Sequence, residues 1–246
     1  MSKLRYLAPN SCTALSLLLG LASVVQSVQG NYELAAWMIL WGVLLDKLDG
    51  TFARLFNASS EFGAQMDSFA DFVSFGIAPA ALLFFGFSDN EMVHYGWLMS
   101  SCGVFVLAVA ARLARFNVAE PPNGHIMFYG IPTTLVGAML ASGYLTWQEF
   151  GLKDELVAPT PFLLFILAVA MVSSVKLPKL KLRKSMLLNV FQAANVLFAY
   201  AAAPLKIHPE VLLCQSVFYA VVGIAWYTIK PPVLEKEAEE AVPSLQ

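Results

Sequence analysis

Charge is scarce in this chain. Only 13% of its 246 residues are Asp, Glu, Lys or Arg, whereas a soluble domain carries about 25%, and 58% are hydrophobic. That balance excludes an ordinary water-soluble domain. The net charge of −2 singles out no class of partner, and nucleic acid is not expected as one. Cysteine is rarer still. Cys12, Cys102 and Cys214 sit within or beside apolar runs at unrelated spacings, which suggests neither a disulfide framework nor a zinc site and leaves them as packing residues. Internal repeats, low-complexity linkers and soluble domain boundaries are also absent. The chain therefore reads as one domain over 1–232, followed by an acidic tail over 233–246 that is expected to be solvated and disordered.

What the chain has instead is long apolar runs. They lie at about Thr13–Val28, Glu33–Leu55, Glu61–Phe87, Met92–Phe116, Phe128–Phe150, Pro159–Val175, Met186–Pro204 and Pro209–Ile229. Each approaches the ~20 residues that cross a hydrocarbon core about 30 Å thick. The expected fold is an all-α polytopic integral membrane protein with about eight transmembrane helices. Lys3 and Arg5 ahead of the first run imitate a secretory leader, but no small-x-small cleavage site follows, so a retained first helix is expected.

Against that background four carboxylates stand out. Asp46 and Asp49 are three residues apart, Asp67 and Asp71 four apart, so each pair shares one face of a helix. On insertion scales a carboxylate at mid-bilayer costs roughly 2.5 to 3.5 kcal/mol, and the four together threaten about 10 kcal/mol unless they are compensated. Divalent cations supply that compensation. Oxygen-only ligation with no nearby His or Cys points to Mg²⁺ or Mn²⁺, with Ca²⁺ a further candidate at one position. Gly50, Ala53 and Gly63 fall on the same faces and permit close approach of a helix or ligand, while Arg54 places a fixed positive charge nearby. These are the parts that diphosphate chemistry needs.

The spacing Asp46-x-x-Asp49-Gly50-x-x-Ala53-Arg54, eight residues, Gly63-x-x-x-Asp67-x-x-x-Asp71 resembles the full signature of the CDP-alcohol phosphotransferases. Pro9-Asn10-x-x-Thr13 and the run from Asp71 to Pro79 resemble the phosphatidylserine synthase branch of that family. The resemblance implies a phosphatidyl transfer from CDP-diacylglycerol to L-serine, with CMP released. It further implies that Asp46, Asp49, Asp67 and Asp71 bind two metal ions, and that Asp71 also acts as general base on the acceptor alcohol. By the same resemblance CDP lies against Gly50, Ala53, Arg54 and Gly63, with Asn10 and Thr13 on the first helix nearby, and the protein is a homodimer. Helix packing and helix capping are the structural alternatives for the glycines and for Asn10 with Thr13.

Orientation follows from the basic residues. With both termini cytoplasmic, 13 Lys and Arg fall inside and only Lys153 and Lys206 outside, which places the carboxylates at the cytoplasmic face of the cell membrane. The basic loop 176–184 then reads as an anchor on anionic headgroups. Arg112 and Arg115, one turn apart, are candidates to grip the serine carboxylate, with interfacial anchoring as the alternative. The segment Phe128-Tyr-Gly-Ile-Pro132-Thr-Thr resembles the Gly-Leu-Pro segment of phosphatidylserine synthases but lacks a second proline. His125 beside it reads as a loop residue. Rival readings are the same chemistry with glycerol phosphate, inositol phosphate or choline as acceptor, a transporter, and a non-catalytic lipid-binding scaffold. A transporter should carry its carboxylates near the midplane between repeats, not gathered at one face.

Overall fold

The computed structural model describes residues 7–56, 60–118, 127–178 and 186–229. The proposed tail, His125 and most of the basic loop lie outside these residues. The described chain is mainly helical: α1 Leu7–Val28, α2 Tyr32–Leu55, α3 Glu61–Asp71, a π-helical turn Phe72–Ile77, α4 Ala78–Phe87, α5 Tyr95–Val118, α6 Thr133–Glu149, α7 Thr160–Val172, α8 Met186–Leu205 and α9 Pro209–Ile229. Among the described residues, five stretches are long and apolar enough to cross a membrane: Pro9–Val28, Glu61–Phe87, Tyr95–Val118, Asp154–Val172 and Pro209–Trp226. The protein is therefore a multi-pass helical membrane protein.

The first two helices form an antiparallel pair whose contact is written in α1. Thr13, Ser16, Gly20, Ser23 and Ser27 recur at steps of three and four, so small and hydroxyl side chains share one face, and all five are buried. The opposite face carries Leu15, Leu18, Leu21, Val25 and Val28, each at least 45% exposed. This is the reverse of a soluble amphipathic helix. In a bilayer, lipid is as apolar as leucine, so helices associate through close packing and interhelical hydrogen bonds. Accordingly Ser16 Oγ donates to Gly42 O at 3.3 Å and Ser23 Oγ to Ala35 O at 2.8 Å.

The π turn is the hub of the bundle. Ser74 within it donates to Ser16 O on α1 at 2.8 Å, and Phe75 is fully buried. Its neighbours approach too closely for side chains: a Cβ on Gly20 would lie 2.7 Å from Ser74 Cα, and one on Gly137 of α6 would lie 3.0 Å from the Phe75 ring. Asp71 is the last residue before this turn, so packing from α1 and α6 fixes where α3 ends and its carboxylate begins.

Two expectations need correction. The fifth helix does not begin at Phe128, and the sixth does not run to Val175. Instead Met127–Tyr129 (β1) pairs antiparallel with Lys176–Pro178 (β2), Phe128 opposite Leu177. Pro132 and Gly130 explain the first difference: proline disfavours helix in the residue before it, and Gly130 has φ +74°. For the second, Ser173 leaves the helix in an extended conformation, and its hydroxyl turns back to Ala170 O at 2.8 Å. The all-α expectation holds for the bundle but missed this short ribbon.

Candidate active site

Two helix ends build the carboxylate cluster. α2 supplies Asp46 and Asp49 from its C-terminal half, and α3 supplies Asp67. One carboxylate oxygen from each of these three lies within 4.8 Å of the others. Asp49 is only 7% exposed, and its Oδ2 is bonded by Thr13 Oγ1 from α1 at 2.8 Å. Thr13 Oγ1 also lies 3.1 Å from Pro9 O. Asp71 stands one turn deeper than Asp67 and outside the three-way convergence, yet its charge interacts with those of Asp46 and Asp67. Its Oδ2 accepts a bond from Thr133 Oγ1 at 3.3 Å.

The donor set tests whether a cation belongs here. Among the described residues the one ion pair to these carboxylates is Lys47 Nζ with Asp46 Oδ2, at 3.8 Å, and that lysine is exposed. A single solvated ammonium does not balance three converging carboxylates, and a surface pair of this length contributes little. Clustered oxygen donors left largely unpaired fit a hard divalent cation such as Mg²⁺ or Mn²⁺.

The remaining sequence candidates fall into groups. Ser60 caps α3, its Oγ accepting from Gly63 N at 3.0 Å, and a Cβ on Gly63 would lie 3.4 Å from Asn10 Oδ1. Asn10 and Gly63 thus meet where α1 and α3 begin. Gly50, Ala53 and Arg54 continue α2 beyond Asp49; the Arg54 side chain lies outside what the structure describes. Arg112 on α5 is buried, 8% exposed, its Nε has no hydrogen-bond partner, and its charge interacts with that of Asp71. Arg115 has a different position. It is exposed, and its Nη1 donates to Val172 O at 2.8 Å, capping the end of α7.

Sequence reasoning missed two contributors. Thr133 lay within the segment that resembles the Gly-Leu-Pro run, but nothing in that resemblance pointed its hydroxyl at the carboxylates. Tyr200 on α8 bonds Leu44 O at 3.3 Å and comes close enough to Asp46 and Asp49 to interact with their charges. It lies far along the chain from the motif. Thr13 was expected near CDP or as a helix cap, and its bond to Asp49 was not foreseen, although the hydroxyl stripe on α1 is a signal for the face turned to α2.

A profile of the CDP-alcohol phosphatidyltransferase family matches residues 6–176, which contain every carboxylate of the cluster. The chain belongs to this family. Among curated CDP-alcohol phosphatidyltransferases, it is similar to the Helicobacter pylori protein named CDP-diacylglycerol–serine O-phosphatidyltransferase, with 34% identity over 179 residues, 72% of this chain and 73% of that protein. A Methanocaldococcus jannaschii protein of the same name is 32% identical over 190 residues, 77% of this chain and 82% of its own length. The archaetidylserine synthase of Methanothermobacter thermautotrophicus is 33% identical over 175 residues, 70% and 69% of the two chains. Helices α8 and α9 lie beyond the stretch that the family profile matches, yet α8 is bound to α2 through Tyr200 and through Trp41 Nε1, which donates to Ala203 O at 2.7 Å.

Proposed function

We propose that this protein transfers a phosphatidyl group from CDP-diacylglycerol to L-serine, releasing CMP, at the cytoplasmic face of the cell membrane. The observation that carries the reading is the juxtaposition of the Asp46–Asp49–Asp67 cluster with Asp71 and the buried Arg112. The names of the relatives support serine as the acceptor.

Asp46, Asp49 and Asp67, with Asp71 beside them, would hold two Mg²⁺ or Mn²⁺ ions, Ca²⁺ being an alternative at one. Such ions, when bound, neutralise the diphosphate and the charge that develops on transfer. Thr13 keeps Asp49 turned toward the cluster. Gly50, Ala53, Arg54, Gly63 and Asn10 form the floor on which the CDP moiety rests. Arg112 receives the serine carboxylate: a buried guanidinium with an unused N–H is poised for a charge-assisted bond. Arg115, tied to α7, supports α5 one turn away. Asp71 accepts the proton of the serine hydroxyl as the serine oxygen bonds to the lipid-bearing phosphorus. The phosphorus–oxygen bond to CMP breaks, and its electron pair leaves with CMP.

The positive-inside count supports cytoplasmic termini and an eight-helix topology, and the family resemblance supports a homodimer. The test is CMP release from CDP-diacylglycerol by the purified protein, comparing serine, glycerol 3-phosphate, inositol phosphate and choline. Serine-dependent release is expected. Release with another acceptor alone would discard serine and keep the chemistry, and no release with any would favour the scaffold.

A further inference from the structure

The run from Phe128 to Thr134 carries no carboxylate and no cation, yet its backbone is fastened at several points. Gly130 N donates to Val175 O at 2.7 Å and Ile131 N to Ala170 O at 3.3 Å, so the turn is bonded to the end of α7 and to the link between α7 and β2. A Cβ on Gly130 would collide with the Met171 carbonyl oxygen, and the positive φ there excludes most other residues independently. β1 adds the pairing with β2, and the Tyr219 hydroxyl on α9 bonds Pro178 O at the far edge of the ribbon. Pro132 then opens α6 with φ −58°. All of this fixes the first turn of α6.

That turn presents one hydroxyl to the site. Thr133 is 1% exposed, and its Oγ1 donates to Asp71 Oδ2. A carboxylate turns broadly about its last side-chain bond. The bond from Thr133 at 3.3 Å biases that rotation, engaging Oδ2 and leaving Oδ1 the freer oxygen for the acceptor. Because α6 begins at Thr133, its N-terminal dipole favours a negative charge at the same place.

We infer that Thr133 is a positioning residue for Asp71, and that the ribbon and the Gly130 turn are the mount that aims its hydroxyl. The inference rests on Asp71 acting as the base, as set out under Proposed function. It assigns a task to the Gly-Ile-Pro-Thr segment that the metal-binding signature leaves without one.

The test compares Thr133→Val, which keeps the shape and removes the hydroxyl, with Thr133→Ser, which keeps the hydroxyl, alongside Asp71→Asn, all as full-length protein with cation. Loss of a buried partner of this kind costs roughly 10- to 100-fold in activity. Thr133→Val should lose about that much kcat, while KM for CDP-diacylglycerol, the thermal midpoint and Mn²⁺ binding followed by calorimetry stay close to wild type. Thr133→Ser should recover most of kcat. Equal losses in the Val and Ser variants would overturn the inference in favour of a packing role, as would Mn²⁺ binding that collapses in Thr133→Val. Unchanged kcat in Thr133→Val with an inactive Asp71→Asn would sink the positioning role alone. Turnover preserved in Asp71→Asn would remove the base reading and the inference with it.

Discussion

At one end of the bundle Asp46, Asp49, Asp67 and Asp71 meet the hydroxyls of Thr13 and Thr133; at the other, the rings of Tyr32, Phe87, Tyr144 and Trp147 pack against one another with centroids 5.1 to 6.1 Å apart. A single helix, α6, carries Thr133 at its first turn and Tyr144 and Trp147 near its last. The aromatic end gains from ring-on-ring packing that needs no ligand, although Trp147 Nε1 is buried there without a hydrogen-bond partner. The carboxylate end is different: like charges converge there, and among the described residues only the exposed Lys47 beside Asp46 and the buried Arg112 near Asp71 offset them in part. One end of the fold holds the helices together, and the other uses that rigidity to keep repelling groups in place for a ligand.

If that division is right, substitutions at the two ends should fail in different ways. Asp71→Asn should show the largest effect, a fall in turnover of about 10²- to 10⁴-fold in keeping with the loss of a general base, while equilibrium binding of CDP-diacylglycerol persists. Turnover held at saturation with binding lost would contradict it. Arg112→Gln removes one charged hydrogen-bond donor, worth about 1.5 to 3 kcal/mol, so KM for serine should rise about 10- to 100-fold. KM for CDP-diacylglycerol should hardly move; an equal rise in both would place Arg112 in scaffolding. Tyr144→Ala, at the aromatic end, should lower stability in detergent by about 2 to 3 kcal/mol through lost packing and leave the kcat of the folded fraction unchanged. Trp41→Phe removes the bond to Ala203 O and should cost only about 0.6 kcal/mol, the usual worth of such a bond between membrane helices.

The sequence made the carboxylate end more legible than its supports. Asp46 and Asp49 share a face as their three-residue spacing requires, whatever the tertiary fold; their convergence with Asp67 depends on how α2 and α3 pack, and Asp71 of the expected four-carboxylate cage lies outside it. Helices α1, α2 and α3 through α4 could be read from apolar length alone, and their limits shifted by only a few residues except at the start of α1. The β1–β2 ribbon was beyond such reading. Three-residue strands separated by 46 residues carry no periodicity, and their pairing depends on where α5 and α7 end. Thr133 and Tyr200 were hidden for the same reason: each reaches the site from a helix remote in sequence, and a hydroxyl gives no signal until its partner is known. Arg112 and Arg115 illustrate the limit of spacing itself. One turn apart on α5, one is buried toward Asp71 and the other caps α7, since neighbouring elements decide which side of a helix is inside.

The claim on which the rest depends is that the converging carboxylates form a divalent-cation site. It is tested most directly by titrating the purified, metal-free protein with Mn²⁺, by calorimetry and electron paramagnetic resonance, beside Asp49→Asn and Asp67→Asn. Saturable binding by the wild type and its loss in both variants, with thermal midpoints kept, is the predicted result. Binding by the variants as tight as that of the wild type would contradict the account.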